Sequence, residues 1–187
     1  MSDHDSQRIL RVLHLEDSVV DRAVIQEILL AGGVACEFQC ADTKVEFEGQ
    51  LKLIEFDLIL SDFTLPAYDG AAALALAQQT QPETPFIFVS GTIGEERAVA
   101  SLRGGATDYV LKQNLDRLVP AVRRAVREAE EREKRRQAEV ALRKAEEKYR
   151  TIFENAREGI YQRTPEGHFC RQILRWQESS AFNRRTN

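Results

Sequence analysis

Cysteine is scarce in this 187-residue chain, with only Cys36, Cys40 and Cys170 and no CxxC pair among them. That excludes a disulfide scaffold and gives no support for zinc or dithiol redox chemistry. On one strand, Cys36 and Cys40 would stand roughly 13 Å apart at ~3.3 Å per residue, too far for one bridge. Long apolar runs are also missing. No stretch approaches the ~18 to 20 residues that cross a bilayer, and the opening MSDHDSQR carries acids where a signal peptide carries a basic region. We therefore expect no membrane span and a cytoplasmic protein. A phosphate-cradling GxxxxGK loop is absent too, since Gly91 and Gly94 close only a four-residue span.

Positive charge is thin over most of the chain. Residues 1–120 hold 9 basic against 19 acidic side chains, residues 121–150 hold 11 against 7, and residues 151–187 hold 6 against 4. An acidic N-terminal block disfavours nucleic acid, because phosphate contacts need clustered Lys and Arg. The later basic excess alternates with glutamates and reads as a solvated helix surface.

Short β-branched runs are present in number: ILRVLHL (9–15), VACEFQCA (34–41), LILSD (58–62), PFIFVS (85–90) and TDYVLK (107–112). Segments of helical period separate them, such as Val20, Val24, Ile28 and the Ala-rich 71–77. Five strands alternating with helices predict an α/β fold, a doubly wound five-stranded parallel sheet of flavodoxin-like order 2-1-3-4-5. The all-apolar third and fourth strands should be central, and the mixed second strand should lie at an edge. From residue 115 a long helix is expected to about 156, its first turns closing the sheet through Leu118, Val119, Val122 and Val126. Beyond EEREKRRQ, Ala138, Leu142, Ala145, Tyr149, Ile152 and Ala156 alternate four- and three-residue steps, the ~3.5-residue period of a short coiled-coil seam with weak alanine knobs. A single solvated helix is the alternative. Three segments are thus expected: 1–128 as the main domain, 129–156 as a helical linker, and 157–187 as a remnant too short for its own core.

In a right-handed parallel sheet every strand ends at the same edge, where binding crevices form. Glu16 and Asp17 follow the first strand, Asp62 ends the third, Ser90 and Gly91 the fourth, and Lys112 the fifth. Gathered carboxylates repel one another unless they share a cation, and oxygen-only donors suit a hard ion such as Mg2+. Lys112, the Ser90 hydroxyl and the Gly91 backbone would suit a doubly charged tetrahedral oxyanion, with a carboxylate as nucleophile towards phosphorus. Each residue alone has a duller role: Asp17 a helix cap, Ser90 a turn residue, Lys112 a surface lysine, Tyr109 strand filler. His14, inside the first strand, reads as a packed core histidine.

The motifs LHLEDS, LILSDFTLPAYDG, FVSGTIG and GATDYVLK, in this order and spacing, resemble the receiver domain of two-component response regulators over about residues 8–128. The resemblance implies that Asp62, facing solvent, accepts a phosphoryl group from a histidine kinase or phosphotransfer protein. Mg2+ would be held by Glu16 through water, Asp17, Asp62 and the backbone carbonyl of Thr64. Lys112 would pair with the phosphoryl group, as would Ser90 after a swing, with backbone contacts from Phe63, Thr64 and Gly91. Tyr109 would turn inward as Ser90 moves, changing the face formed by the fourth helix, fifth strand and fifth helix. Thr64 would lie beside the path of attacking water. One position departs from the pattern: Gln113 follows the lysine where the family carries a cis proline, and a non-proline cis bond costs ~3 kcal/mol, so a trans bond is expected.

YRTIFENAREGIYQRTPEGHF, from Tyr149, is similar to the opening of a PAS sensor domain and predicts a strand, a turn and a second strand. The likeness fails after about Phe169. No output catalytic motif is legible, so the chain is expected to be a phosphoacceptor, not an enzyme, and to pair as a homodimer through its long helix. Two other readings remain open. The acidic site could be vestigial in a constitutive interaction module, or it could belong to an aspartyl phosphatase of haloacid dehalogenase type. The latter wants an aspartate where Thr64 stands.

Overall fold

A computed structural model describes residues 8–66, 68–91, 95–155, 161–163 and 169–172. The elements run β1 (Leu10–Leu15), α1 (Val19–Ala31), β2 (Cys36–Ala41), α2 (Lys44–Leu53), β3 (Leu58–Ser61), α3 (Gly70–Thr80), β4 (Phe86–Ser90), α4 (Glu95–Arg103), β5 (Asp108–Leu111) and α5 (Leu118–Asn155). A short antiparallel pair follows, β6 (Tyr161–Arg163) with β7 (Phe169–Gln172). The chain divides into two compact units, Met1–Lys134 and Arg135–Asn187. All five strands of the first unit are parallel, in the order β2-β1-β3-β4-β5. This is the expected topology, with polar β2 at an edge and fully buried β3 and β4 inside.

Strand alternation sorts the apolar residues into two layers. Val12, Leu58, Leu60, Ile87, Val89 and Val110 pack with Ile25 and Leu29 of α1 and with Leu118, Ala121, Val122 and Ala125 of α5. On the other face, Leu13, Leu15, Ile59 and Phe88 meet Phe47 and Leu51 of α2 and Ala73, Leu74 and Ala77 of α3. Burying each large aliphatic side chain contributes roughly 1.5 to 3 kcal/mol, so these two layers hold the sheet between its helices. Cys36 and Cys40 are free thiols on β2.

Helices α1, α2 and α3 each start on a side-chain cap. Ser18 Oγ accepts the Asp21 N–H, Thr43 Oγ1 accepts the Glu46 N–H, and Asp69 Oδ1 accepts the Ala71 N–H. The loop from β3 to α3 is drawn tight by an antiparallel bridge between Thr64 and Asp69 and by the Gly70 N–H donating to the Phe63 carbonyl at 3.3 Å. Gly70 is needed for closeness: a Cβ there would stand 2.9 Å from both Phe63 Cα and Phe63 O. No cis peptide occurs among the described residues, so Lys112–Gln113 is trans as expected. The Gln113 amide instead reaches across to donate to the Gly91 carbonyl at 3.5 Å. The two strands expected after the long helix correspond to β6 and β7, and the turn expected between them lies outside the described residues. Ala156 of the proposed seam, and the tail beyond Gln172, lie outside the described residues.

Because the colliding atoms at Gly70 are backbone, Gly70→Ala should destabilise the domain by about 1 to 3 kcal/mol. Urea denaturation midpoints measure it; an unchanged midpoint would show that the loop after β3 yields freely.

Candidate functional site

Parallel pairing delivers the site residues to one edge. Leu15 pairs with Ser61 and Ser90 with Leu111, so Glu16, Asp62 and Lys112 each stand one residue beyond a strand end. The ladder continues past β5, with the Lys112 N–H donating to the Ser90 carbonyl at 2.9 Å. From there the Lys112 ammonium donates to Glu16 Oε2 at 2.7 Å, to Asp21 Oδ2 at 2.6 Å and to Asp62 Oδ2 at 2.8 Å. An ammonium has three N–H bonds, and all three are used. The second oxygens of Glu16 and Asp62 are served by backbone: Glu16 Oε1 accepts the Ser18 N–H at 3.1 Å, and Asp62 Oδ1 accepts the Thr64 N–H at 3.0 Å.

Burial makes this arrangement electrostatically tense. Glu16 is only 1% exposed, and burial raises its carboxyl pKa, with the Lys112 and Ser18 bonds opposing and Asp62 adding to the rise. For Lys112, burial acts to lower the pKa, but bonding to Asp21, Asp62 and Glu16 more than offsets it, and the ammonium is held charged. Asp62 is 8% exposed, less open than expected, because Lys112 covers one of its oxygens and the Thr64 N–H the other. Its neighbours are polar, not apolar.

Asp17 lies beside the cluster in sequence but is exposed and takes no part in it. Nor does it cap α1, since Ser18 has that role. Among the described residues, no group of three or more His, Cys, Asp or Glu side chains is gathered to hold a metal ion; the carboxylates converge on Lys112 instead. The donor set that the sequence singled out still consists of oxygen atoms alone, which is the chemistry of a hard cation.

Asp21 is the member that sequence reading missed. Its signal was present, because Ser18 and Asp21 stand in the S-x-x-acid spacing of a capping box, where the acid turns back to the cap N–H. Here Glu16 Oε1 already takes the Ser18 N–H, which leaves the Asp21 carboxylate for Lys112.

Ser90 and Tyr109 close the β4–β5 side. Ser90 Oγ and the Tyr109 hydroxyl are both buried and neither completes a hydrogen bond, although Ser90 is near enough to moderate the phenol pKa that burial raises. Phe63 packs edge-on against Phe88 at 5.3 Å, Thr64 is exposed, and Gly91 leaves room beside Lys112, whose Cδ would lie 3.9 Å from an added Cβ. His14, one residue before the end of β1, is fully buried with neither ring nitrogen bonded. Burial, with Arg22 and Lys112 nearby, lowers its pKa to about 4. It is a core residue as expected, but not a hydrogen-bonded one.

Such a sheet, with a lysine-bridged acidic crevice at the carboxyl ends of its strands, defines a flavodoxin-like domain. The chain belongs to the response regulator receiver domain family, whose model matches residues 12–123, more than half of its length. Response regulator protein FleR of Pseudomonas aeruginosa is 32% identical over 102 residues, 54% of this chain and 21% of FleR. This chain therefore corresponds to a small part of that relative. Among solved structures, a CheY-like receiver domain protein from Methanospirillum hungatei is 28% identical with a TM-score of 0.60, covering 67% of this chain and 99% of that one. The Mn(2+)-bound form of response regulator Rcp1 is 25% identical with a TM-score of 0.52, covering 60% and 88%. The family match stops at residue 123, and nothing in these likenesses supports the PAS resemblance of the segment beyond. No helix among the described residues is long and apolar enough to cross a membrane.

The buried His14 gives a pH signature. Neutral in the fold but protonated below its ordinary 6.5 when unfolded, it should make stability fall as pH drops from about 6.5 towards about 4, by up to about 3 kcal/mol. Glu16 works in the opposite direction, since its raised pKa costs stability as pH rises above its ordinary 4.5. In His14→Leu the acid-side fall should vanish, leaving a profile that is flat or rises on acidification. Denaturation curves at stepped pH test this; parallel profiles for the two proteins would refute it.

Proposed function

We propose that this chain is the phosphoacceptor receiver of a two-component phosphorelay, with Asp62 as the residue phosphorylated by a histidine kinase or phosphotransfer protein. The observation that carries the reading is the Asp62 carboxylate at the end of β3, within 2.8 Å of the Lys112 ammonium, in a chain of the receiver family. One carboxylate oxygen attacks phosphorus. The P–O bond forms as the donor's P–N bond breaks, and the bonding pair leaves on the imidazole nitrogen. Lys112 follows the charge from the carboxylate to the phosphoryl oxygens. The backbone N–H groups of Phe63, Thr64 and Gly91 add donors around them.

Glu16, Asp17, Asp62 and the Thr64 carbonyl are the residues that would hold Mg2+, and their all-oxygen chemistry fits it. When bound, the ion would neutralise charge growing on the phosphoryl oxygens. That the Rcp1 structure is a Mn(2+)-bound form supports a divalent cation as a ligand of a response regulator of this fold. The two unbonded hydroxyls support a switch: Ser90 gains a partner by turning to the phosphoryl group, and the Tyr109 hydroxyl moves into the space released. That motion alters the face of α4, β5 and α5. Thr64, exposed two residues past Asp62, borders the approach of hydrolytic water.

Residues 1–128 act as the receiver, 129–156 as the helical linker, and 157–187 as a PAS-like beginning. The linker pairs two copies in parallel: Leu142 and Tyr149 are 61% and 65% exposed along the seam, and a helix with such a stripe gains by burying it against a second. The output is a partner or a further domain, and the protein acts in the cytoplasm, without turnover of a substrate of its own.

Incubation with acetyl phosphate and Mg2+ should add one phosphate, seen by intact-mass spectrometry, and EDTA or Asp62→Asn should abolish it. Equal labelling of wild type and Asp62→Asn would remove Asp62 as acceptor. For the linker, sedimentation equilibrium should show beryllofluoride with Mg2+ driving dimerisation, and Leu142→Asp preventing it. An association state that ignores the phosphoryl mimic would favour the constitutive interaction module.

A further inference from the structure

We propose that Asp21 is a positioning residue that tethers Lys112 in the unphosphorylated domain and sets how readily the ammonium is released to an incoming phosphoryl group. The proposal rests on the phosphoacceptor reading of Asp62. Its basis is a count of donors. All three Lys112 N–H bonds are taken, by Glu16, Asp21 and Asp62, so a phosphoryl oxygen can be served only if one carboxylate gives up its share.

The three carboxylates are not equally able to do so. The Glu16 side chain is 1% exposed, and its other oxygen is fixed by the Ser18 N–H, so its release from Lys112 would strand a buried charge. The Asp62 side chain is 10% exposed and is itself the group that carries the phosphoryl. Asp21 has a side chain 39% exposed, and among the described residues Lys112 is the only side chain bonded to its carboxylate, so water can replace the ammonium at small cost.

The fold places Asp21 for this task. It sits in the first turn of α1, where the helix dipole favours an anion, and its N–H is pinned by Ser18 Oγ. Because Glu16 has displaced it from the cap N–H, its carboxylate faces the strand edge. Asp21 thus draws Lys112 towards α1 and competes, as a like charge, with the dianion that Lys112 must serve.

Two measurements on the full chain test this. With saturating Mg2+, Asp21→Asn should bind beryllofluoride roughly three- to tenfold more tightly than wild type, and the gain should largely disappear in a Lys112→Met background. An equal gain in both backgrounds would mean a general charge effect, and no gain would mean no competition; either overturns the proposal. Asp21→Ala serves as a second variant and should behave alike.

The other measurement needs no phosphoryl group. The Lys112 ammonium protons, followed by 1H–15N NMR, should exchange several-fold faster in Asp21→Asn, and unchanged exchange would overturn the tether. A wild type that binds no beryllofluoride while its Asp21-dependent exchange is intact would sink the phosphoacceptor reading and the release step, leaving the tether standing.

Discussion

One ammonium shared among three carboxylates organises the carboxyl edge of this sheet. Without Lys112, Glu16 would be a buried anion facing two others, and removal of one partner from a buried pair typically costs about 3 to 5 kcal/mol. The Lys112 backbone is fixed by its bond to the Ser90 carbonyl, and the Asp62 backbone by its bond to Leu15, so the ion cluster is held by sheet ladders rather than by loops. The bonds that meet at Lys112 are side-chain bonds, so partners there can exchange without breaking the ladders.

The same edge explains why two hydroxyls and one imidazole remain unbonded in the interior. Ser90 on β4, Tyr109 on β5 and His14 on β1 each have an unmet hydrogen-bonding group. Buried polar groups without partners cost stability, and they concentrate where structure serves function. In the proposed switch, Ser90 would recover that cost on turning to a phosphoryl group, with Tyr109 moving into the space released. His14 has no such outlet. It is kept neutral by burial and by the cations near it, so it adds no charge beneath the site.

The sheet was legible because parallel strands buried on both faces leave unbroken apolar runs, as in LILS and FIFVS, and because strand ends in a right-handed parallel sheet share an edge. Glu16, Asp62, Ser90 and Lys112 followed from that rule alone. What was not legible depended on which oxygen takes which N–H. Asp21 is hidden behind a capping-box spacing, and only the Glu16–Ser18 bond reveals that its carboxylate is free to turn elsewhere. Asp17 carries an equally strong motif signal but lies exposed, because the chain has already begun its turn into α1. Solvation of Asp62 was also overestimated, since the reach of a lysine folded over it cannot be read from spacing.

Partner exchange at Lys112 is the step on which a phosphorylation switch at this edge depends. A crystal structure of the chain with Mg2+ and beryllofluoride tests it most directly. The account predicts the fluoride complex on an Asp62 oxygen, with the Lys112 ammonium within hydrogen-bond distance of a fluorine and withdrawn from Asp21. A complex bound elsewhere, or bound to Asp62 with Lys112 still held by all three carboxylates, would contradict it.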